Sequence, residues 1–236
     1  MSASPDAVSA RMSVPLSFIH AKLRGRRRRV YEDQRIEELR QKRTVRDLWE
    51  ELYPRKRASG RVALERQLRE DCARELCSFL HLLPRDVGDF YRSLLRRFQL
   101  DNLHVLIRLF AGGREGAEPS SYMPELPADL AVGAGELLNS SNLEEFVGKL
   151  PPRMSRKARP TLALYREHDT TAFTEMALER AWWLEVLEAL QEISRSHRED
   201  CAAPLLSELA ADRLLAVLRG GTNYDIEWET IRAHLP

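Results

Sequence analysis

The sequence predicts an all-α fold, a helical repeat architecture of two related multi-helix units, and three observations carry the prediction. Apolar residues recur at three- and four-residue spacing through nearly every ordered stretch. No run of alternating apolar and polar residues is bounded by turn dipeptides. The composition is charged and helix-prone, with 31% charged and 43% hydrophobic residues and 11 glycines and 12 prolines in 236 residues. A chain of that length can bury a sizeable core.

Taken in order, residues 1–13 read as a loose leader. Thr44 stands where an N-cap belongs, with Asp47 three residues on, before a short helix over 45–52 that Tyr53-Pro54 stops. Leu64, Leu68, Cys72, Leu76, Phe79, Leu80 and Leu83 form one apolar stripe ending at Pro84. Val87, Phe90, Tyr91, Leu94, Leu95 and Phe98 begin the next, which runs through Leu103, Leu106, Ile107 and Phe110 to Gly112-Gly113. Residues 112–125 collect Gly, Ser and Pro and read as an exposed connector. Asn142 and Glu145 repeat the cap arrangement before a helix over 143–150, stopped by Pro151-Pro152. Phe173, Met176, Ala177, Leu184, Leu187 and Leu190 line a third stripe on a glutamate-rich helix. The expected organisation is a first helical unit over 14–111, the connector, and a second unit over 126–236, packed as one body.

Composition excludes several classes. No uninterrupted apolar run approaches the ~18–20 residues of a membrane span, and prolines and polar residues interrupt any signal-peptide core near the start. Three cysteines (Cys72, Cys77, Cys201) make no disulfide framework, so a reducing compartment is expected. The net charge of +1 conceals a gradient. Residues 1–60 hold fifteen Lys/Arg against eight Asp/Glu, while residues 161–236 hold seven against fourteen, so the two ends carry +7 and −7. Such polarity favours oriented docking between surfaces of opposite sign.

The paired stops point to an internal duplication. RDLWEELYP at 46–54 aligns with EEFVGKLPP at 144–152, an offset of 98. Glu65-x-x-Leu68 aligns with Glu175-x-x-Leu178 at an offset of 110, and DNLHVLIR (101–108) with DRLLAVLR (212–219) at 111. Asp and Arg seven apart share a helix face but stand ~10 Å apart along the axis. Each is therefore expected to meet a neighbouring helix, as a clamp that holds the fold.

LDNLHVLIRLFAGG (100–113) resembles the D-x-x-N-L-x-x-L-x-R element of the C-type (eukaryotic d-type) central-stalk subunits of V-type (A-type) rotary ATPases. FIHAKLRGRRRRVYE (18–32) resembles that family's opening helix, and residues 125–152 its L-P-x-G-x-L and following E-E-L elements. FTEMALERAWWLEVL (173–187) is similar to its E-x-x-L-D-R-x-Y-F element, with Glu179 for the Asp and Trp182-Trp183 for the aromatics. The resemblance implies an all-α protein of related units seated between a rotating shaft and the membrane proteolipid ring. It implies no bond chemistry, no cofactor and no metal, but transmission of torque during ion or proton transport. The chain is expected to be cytoplasmic, peripheral on the membrane through the complex. By this alignment it is a short form with two of the family's three units. Asp101, Asn102, Arg108, Asp212 and Arg219 match the family motif and are expected to hold the fold. The second unit carries Arg213 where the first has Asn102.

The tract KLRGRRRR is the densest charge feature, and Arg24, Arg26, Arg27, Arg28 and Arg29 are candidate contacts for an acidic partner or anionic headgroups. Nucleic acid is not the expected partner, because no recognised binding motif accompanies the tract. Cys77 and His81, four apart, could hold a metal edge-on, but two ligands make no site. Neither G-x-x-x-x-G-K-[ST] nor G-x-G-x-x-G occurs, so the glycine pairs 112–113 and 220–221 read as helix ends. Glutamates 175, 179, 185, 188 and 192 read as a solvated acidic surface. Of the adjacent Trp182 and Trp183, one could lie near the surface and anchor an interface, against ordinary core packing of both. The function expected is a non-catalytic central-stalk subunit of a V-type ATPase or ATP synthase. The alternatives are a free-standing helical adaptor of that descent and, behind it, a basic-arm nucleic-acid binder.

Overall fold

The computed structural model describes residues 16–27, 34–57, 59–112, 118–223 and 228–235. The leader over 1–13 and the arginines at 28 and 29 lie outside the described residues. Every regular element among those described is helical: α1 (Leu16–Arg27), α2 (Gln34–Arg40), α3 (Val45–Leu52), α4 (Arg61–Cys77), α5 (Arg85–Ala111), α6 (Ala134–Leu138), α7 (Leu143–Gly148), α8 (Pro152–Ala158), α9 (Leu162–His168), α10 (Ala172–Glu192), α11 (Arg195–Asn223) and α12 (Trp228–His234). Short 3₁₀ turns punctuate them at Leu80–Leu82, Pro119–Ser121, Ala128–Leu130 and Arg159–Thr161.

The caps form where the side chains call for them. Thr44 Oγ1 accepts from the Asp47 N–H at 3.1 Å while the Asp47 carboxylate accepts from the Thr44 N–H at 3.2 Å, a complete capping box. Asn142 Oδ1 accepts from the Glu145 N–H at 2.9 Å. Lys149, helped by the Ser141 backbone donor, holds the Glu145 carboxyl down at about 2. α7 ends at Gly148, two residues before the expected stop, because the chain turns there ahead of Pro151. α9 ends on Asp169 in the left-handed region (φ 49°), which Asp tolerates because its short side chain can bond locally.

α10 is the hub. It packs along α5 and α8 and against α11, and Phe173, Leu178, Ala181, Trp182, Trp183 and Val186 are all sequestered from solvent. Ala177 and Ala181 keep the helix slim so that neighbours approach closely, while the tryptophans fill the space beside them. The main core draws Leu100, Leu103, Leu106 and Ile107 from α5, Phe146 and Val147 from α7, and Leu205 and Leu209 from α11. One apolar cluster thus draws on residues both before and after the connector. A satellite core joins Ala73 of α4 to Leu95 of α5 and to Leu126 and Leu130 after the connector. Tyr91 donates to the Leu76 carbonyl at 3.2 Å, and burial pushes its phenol up to about 12. Ile19 packs on Phe79 and Leu82 and docks α1 at the end of α4.

Two expectations about packing change, and the alternative open for the tryptophans is decided. The first stripe is not one helix: α4 stops at Cys77, and Leu80–Leu82 is a 3₁₀ turn with a different phase. Leu68 and Cys72 on that stripe are exposed. Both tryptophans are buried (Trp182 2%, Trp183 1%), because α10 has packed helices on opposite sides and leaves neither ring a route to solvent.

Candidate interface residues and the polar seam between helices

Where α5, α10 and α11 meet, charged groups converge on one arginine. The Arg97 guanidinium of α5 lies 3.4 Å from Asp101 Oδ1 and 3.4 Å from Asp212 Oδ2, and its carbon sits 5.1 Å from the centre of the Trp182 ring. The corresponding aspartates of the two repeats therefore share a single cation. Trp183 Nε1 donates to Asp212 Oδ2 at 3.1 Å, and Trp182 Nε1 donates to the Ser93 carbonyl at 2.8 Å. Both buried indoles thus keep a hydrogen-bond partner, which removes the desolvation penalty of an orphaned N–H.

Farther along, Arg108 Nε bonds both Glu175 oxygens at 3.0 and 3.1 Å, in the forked geometry that suits guanidinium and carboxylate. Thr171 donates to the same carboxylate at 2.8 Å and fixes its rotamer. Glu185 pairs with Arg96 of α5, Glu188 with Arg153 of α8, and Glu179 is also engaged. The α10 carboxylates are therefore not a free acidic surface. Glu175, Glu185 and Glu188 are tethers to arginines on the neighbouring helices, and among the five only Glu192 and Glu188 count as exposed residues.

The motif residues divide as follows. Arg108 and Asp212 each reach a neighbouring helix, while the Asp101 carboxylate meets Arg97 one turn back on its own helix. Asn102 is buried and donates to the Pro124 carbonyl at 3.1 Å, tying α5 to the connector; its Oδ1 has no partner among the described residues. His104 is buried two residues on, with Nε2 unpartnered among the described residues. Burial pushes its pKa down, against the opposing pull of the Glu175 charge. The Arg219 side chain lies outside the described residues.

In the basic tract, Arg24 is exposed and the Arg27 side chain lies outside the described residues. Arg26 turns inward. It pairs with Glu75, donates to Ser78 Oγ at 2.6 Å, and stacks 4.7 Å from the centre of the Phe79 ring. Its guanidinium fastens α1 to the end of α4.

Cys77 closes α4 whereas His81 sits in the 3₁₀ turn, so the two do not share a helix face. Burial, with the nearby Asp129 charge, pushes the Cys77 thiol up, away from the thiolate a metal needs. Among the described residues no group of three or more His, Cys, Asp or Glu converges to hold a metal ion. A groove of about 770 Å³ runs between α4, the connector and α6. Arg66 on its wall donates to the Ser120 carbonyl, and Glu70 accepts from the Glu125 N–H at 3.1 Å. These two side chains staple the connector down.

The seam, the capped short helices and the long paired helices run through almost the whole chain, and so does the match to known proteins. A family model described as ATP synthase (C/AC39) subunit matches residues 19–235. The chain belongs to that family. Comparisons with curated proteins and with solved structures give no match. It is a subunit of the V-type ATPase kind, all-α as its C/AC39 membership implies. Among the described residues no helix is long and apolar enough to cross a membrane.

Sequence reasoning missed Arg97, Ser93 and the pairing role of Glu175 in this C/AC39 chain. The Arg97-x-x-x-Asp101 spacing is a local signal for one of those contacts. Nothing local announces that Trp183 donates to an acid 29 residues away.

Proposed function

We propose that this C/AC39 chain is a non-catalytic central-stalk subunit that couples a rotating shaft to a membrane proteolipid ring. The observation that carries the reading is the family match over residues 19–235. The architecture supports it mechanically. α5 and α11, 27 and 29 residues long, span ~40 Å each at 1.5 Å per residue. Apolar packing and cross-helix ion pairs join them through α10, so a load on one long helix passes to the other across the seam, although Pro204 interrupts the hydrogen-bond ladder near the start of α11. Torque transmission needs such stiffness and no reacting group. The chain would work from the cytoplasmic side, peripheral to the membrane. Asp101, Asn102, Arg108, Asp212 and Arg219 hold the fold, and Arg24, Arg27, Arg28 and Arg29 meet an acidic partner or headgroup layer, with Arg26 kept for internal bracing.

The test is a gentle detergent pull-down of the tagged chain from its native membranes, read by mass spectrometry. Co-recovery of catalytic, shaft and proteolipid subunits is expected. Recovery of the chain alone, or with unrelated proteins, would replace the stalk role with that of a free-standing adaptor. Arg27→Glu with Arg28→Glu should lower the recovery while leaving helicity intact.

A further inference from the structure

Residues 151–162 (PPRMSRKARPTL) hold four Lys/Arg and no Asp/Glu, a concentration that the net charge of +1 conceals. Arg153 is taken up by Glu188 of α10. One turn on, Arg156 and Lys157 stand in the last turn of α8, and with Arg180 of α10 they line a pocket of about 300 Å³. Thr161, Ala177 and Ala233 of α12 supply uncharged wall between them. The packing of α8 on α10 holds this arrangement from both ends. The Arg153–Glu188 pair lies on one side, the Thr161 and Thr174 hydroxyls meet at 3.1 Å on the other, and Ala158 packs with Ala177 and Ala181 in the core between.

The wall of this pocket contains no acidic residue. Other concavities of the chain supply their own counter-charge. The groove between α4 and α6 has Glu70 and Glu118 in its wall, the hollow beside α3 sets Arg46 against its own Glu50 at 2.8 Å, and the one between α6 and α8 contains Glu136. Here Arg156, Lys157 and Arg180 form no ion pair among the described residues, and Glu229, one turn before Ala233 on α12, meets none of them. Arg180 donates to the Ala233 carbonyl at 3.4 Å, which steers its guanidinium to the pocket edge and leaves the rest of the fork open. Thr161 and Ala177 are 1% and 5% exposed, so the three cations gather over a dry wall, where their field is focused instead of being quenched by water.

Three like charges brought together in one hollow repel one another, and an anion seated among them reverses the sign of that term. We propose that the pocket binds a phosphate monoester group, free or as the headgroup of an anionic lipid. The donor set selects this chemistry. Two guanidinium forks each match a pair of phosphate oxygens, and the lysine adds a point charge. A monoester carries about −1.5 to −2 near neutral pH with three acceptor oxygens, enough to answer all three cations, whereas a single carboxylate answers one. The volume is at the small end for ligand pockets and suits a phosphate carrying a glycerol-sized group. The inference does not rest on the rotary-ATPase role, because every group in the site comes from α8, α10, α12 and the turn after α8.

The experiment titrates the purified full-length chain with glycerol 3-phosphate in a calorimeter, and saturable binding of one molecule per chain is expected. Arg156→Gln with Arg180→Gln should weaken it by about tenfold or more, with the circular dichroism unchanged because both residues are exposed. Arg43→Gln with Arg55→Gln removes the same charge from exposed positions beside α3 and should leave the binding as it is. Co-sedimentation with phosphatidylcholine vesicles, with and without phosphatidic acid, separates the two sources of the phosphate. A preference for phosphatidic acid that disappears in the Arg156/Arg180 variant assigns the site to a headgroup. Binding of glycerol 3-phosphate with no such preference assigns it to a free phosphate ester. The proposal is overturned if neither probe binds, or if binding survives the Arg156/Arg180 variant. Equal weakening by both double variants overturns it too, since bulk charge and not the pocket would then hold the anion.

Discussion

Replacing Asp212 by Ala isolates the centre of the seam. The substitution strips the acceptor from Trp183 Nε1, a donor on a side chain 1% exposed, and removes one of the two carboxylates on Arg97. An orphaned buried donor costs about 1–3 kcal/mol. The Arg97 pair, with both groups partly exposed, adds at most about 1 kcal/mol after solvent screening. Together they predict a loss of about 2–3 kcal/mol, or roughly 5–10 °C in Tm for a domain of this size. Asp212→Asn keeps an oxygen for the indole and loses only the charge, so it should cost about 1 kcal/mol or less. Urea denaturation followed by far-ultraviolet circular dichroism, with Trp fluorescence as a second probe, measures both. Trp183→Phe in the Asp212→Ala background should cost less than in the wild type by about 1–2 kcal/mol, because the orphaned donor is then absent. If Asp212→Ala and Asp212→Asn are equally mild, the hydrogen bond does not anchor α11 and the reasoning fails.

The other predictions concern neighbouring contacts. A double-mutant cycle with Arg108→Met and Glu175→Gln should give a coupling of about 1 kcal/mol, reduced in high salt because the Arg108 side chain is 60% exposed. His104 is held neutral by burial, with Glu175 and Asp101 pulling its pKa up and Arg108 and Arg97 pushing it down. Its folded pKa lies below the unfolded value, so the unfolded chain binds the extra proton first and stability falls as pH drops below ~6.5. His104→Leu, the residue type at the matching position of the second repeat, should flatten that acid limb in urea titrations run at several pH values. Arg26→Ala should loosen α1 without unfolding the core. The check is hydrogen exchange, which should quicken in residues 16–26 and leave the α10 amides unchanged.

Much of this fold is legible locally. The Thr44 and Asn142 caps, the proline stops and the three- and four-residue spacing mark helices because each signal acts within a turn or two of chain. The spacing of Asp and Arg that recurs at 101–108 and 212–219 is legible too. The motif acids and arginines can be named from sequence, yet their partners cannot. Arg108 finds Glu175, 67 residues away, and Asp212 finds Trp183 and Arg97, contacts that exist only once α10 lies between α5 and α11. For the same reason Glu175, Glu185 and Glu188 read as part of a solvated face and prove to be tethers, and nothing local announces that Arg26 lies against Phe79 and Glu75.

The sequence by itself determined that this chain is helical, where its short helices begin and which family it belongs to, because caps, periodicity and motif order are properties of neighbouring residues. The tertiary structure decided which face of each helix is buried. Leu103 and Leu214 align in sequence at an offset of 111, yet one is 0% and the other 60% exposed, because the first packs in the core shared with α10 and the second does not.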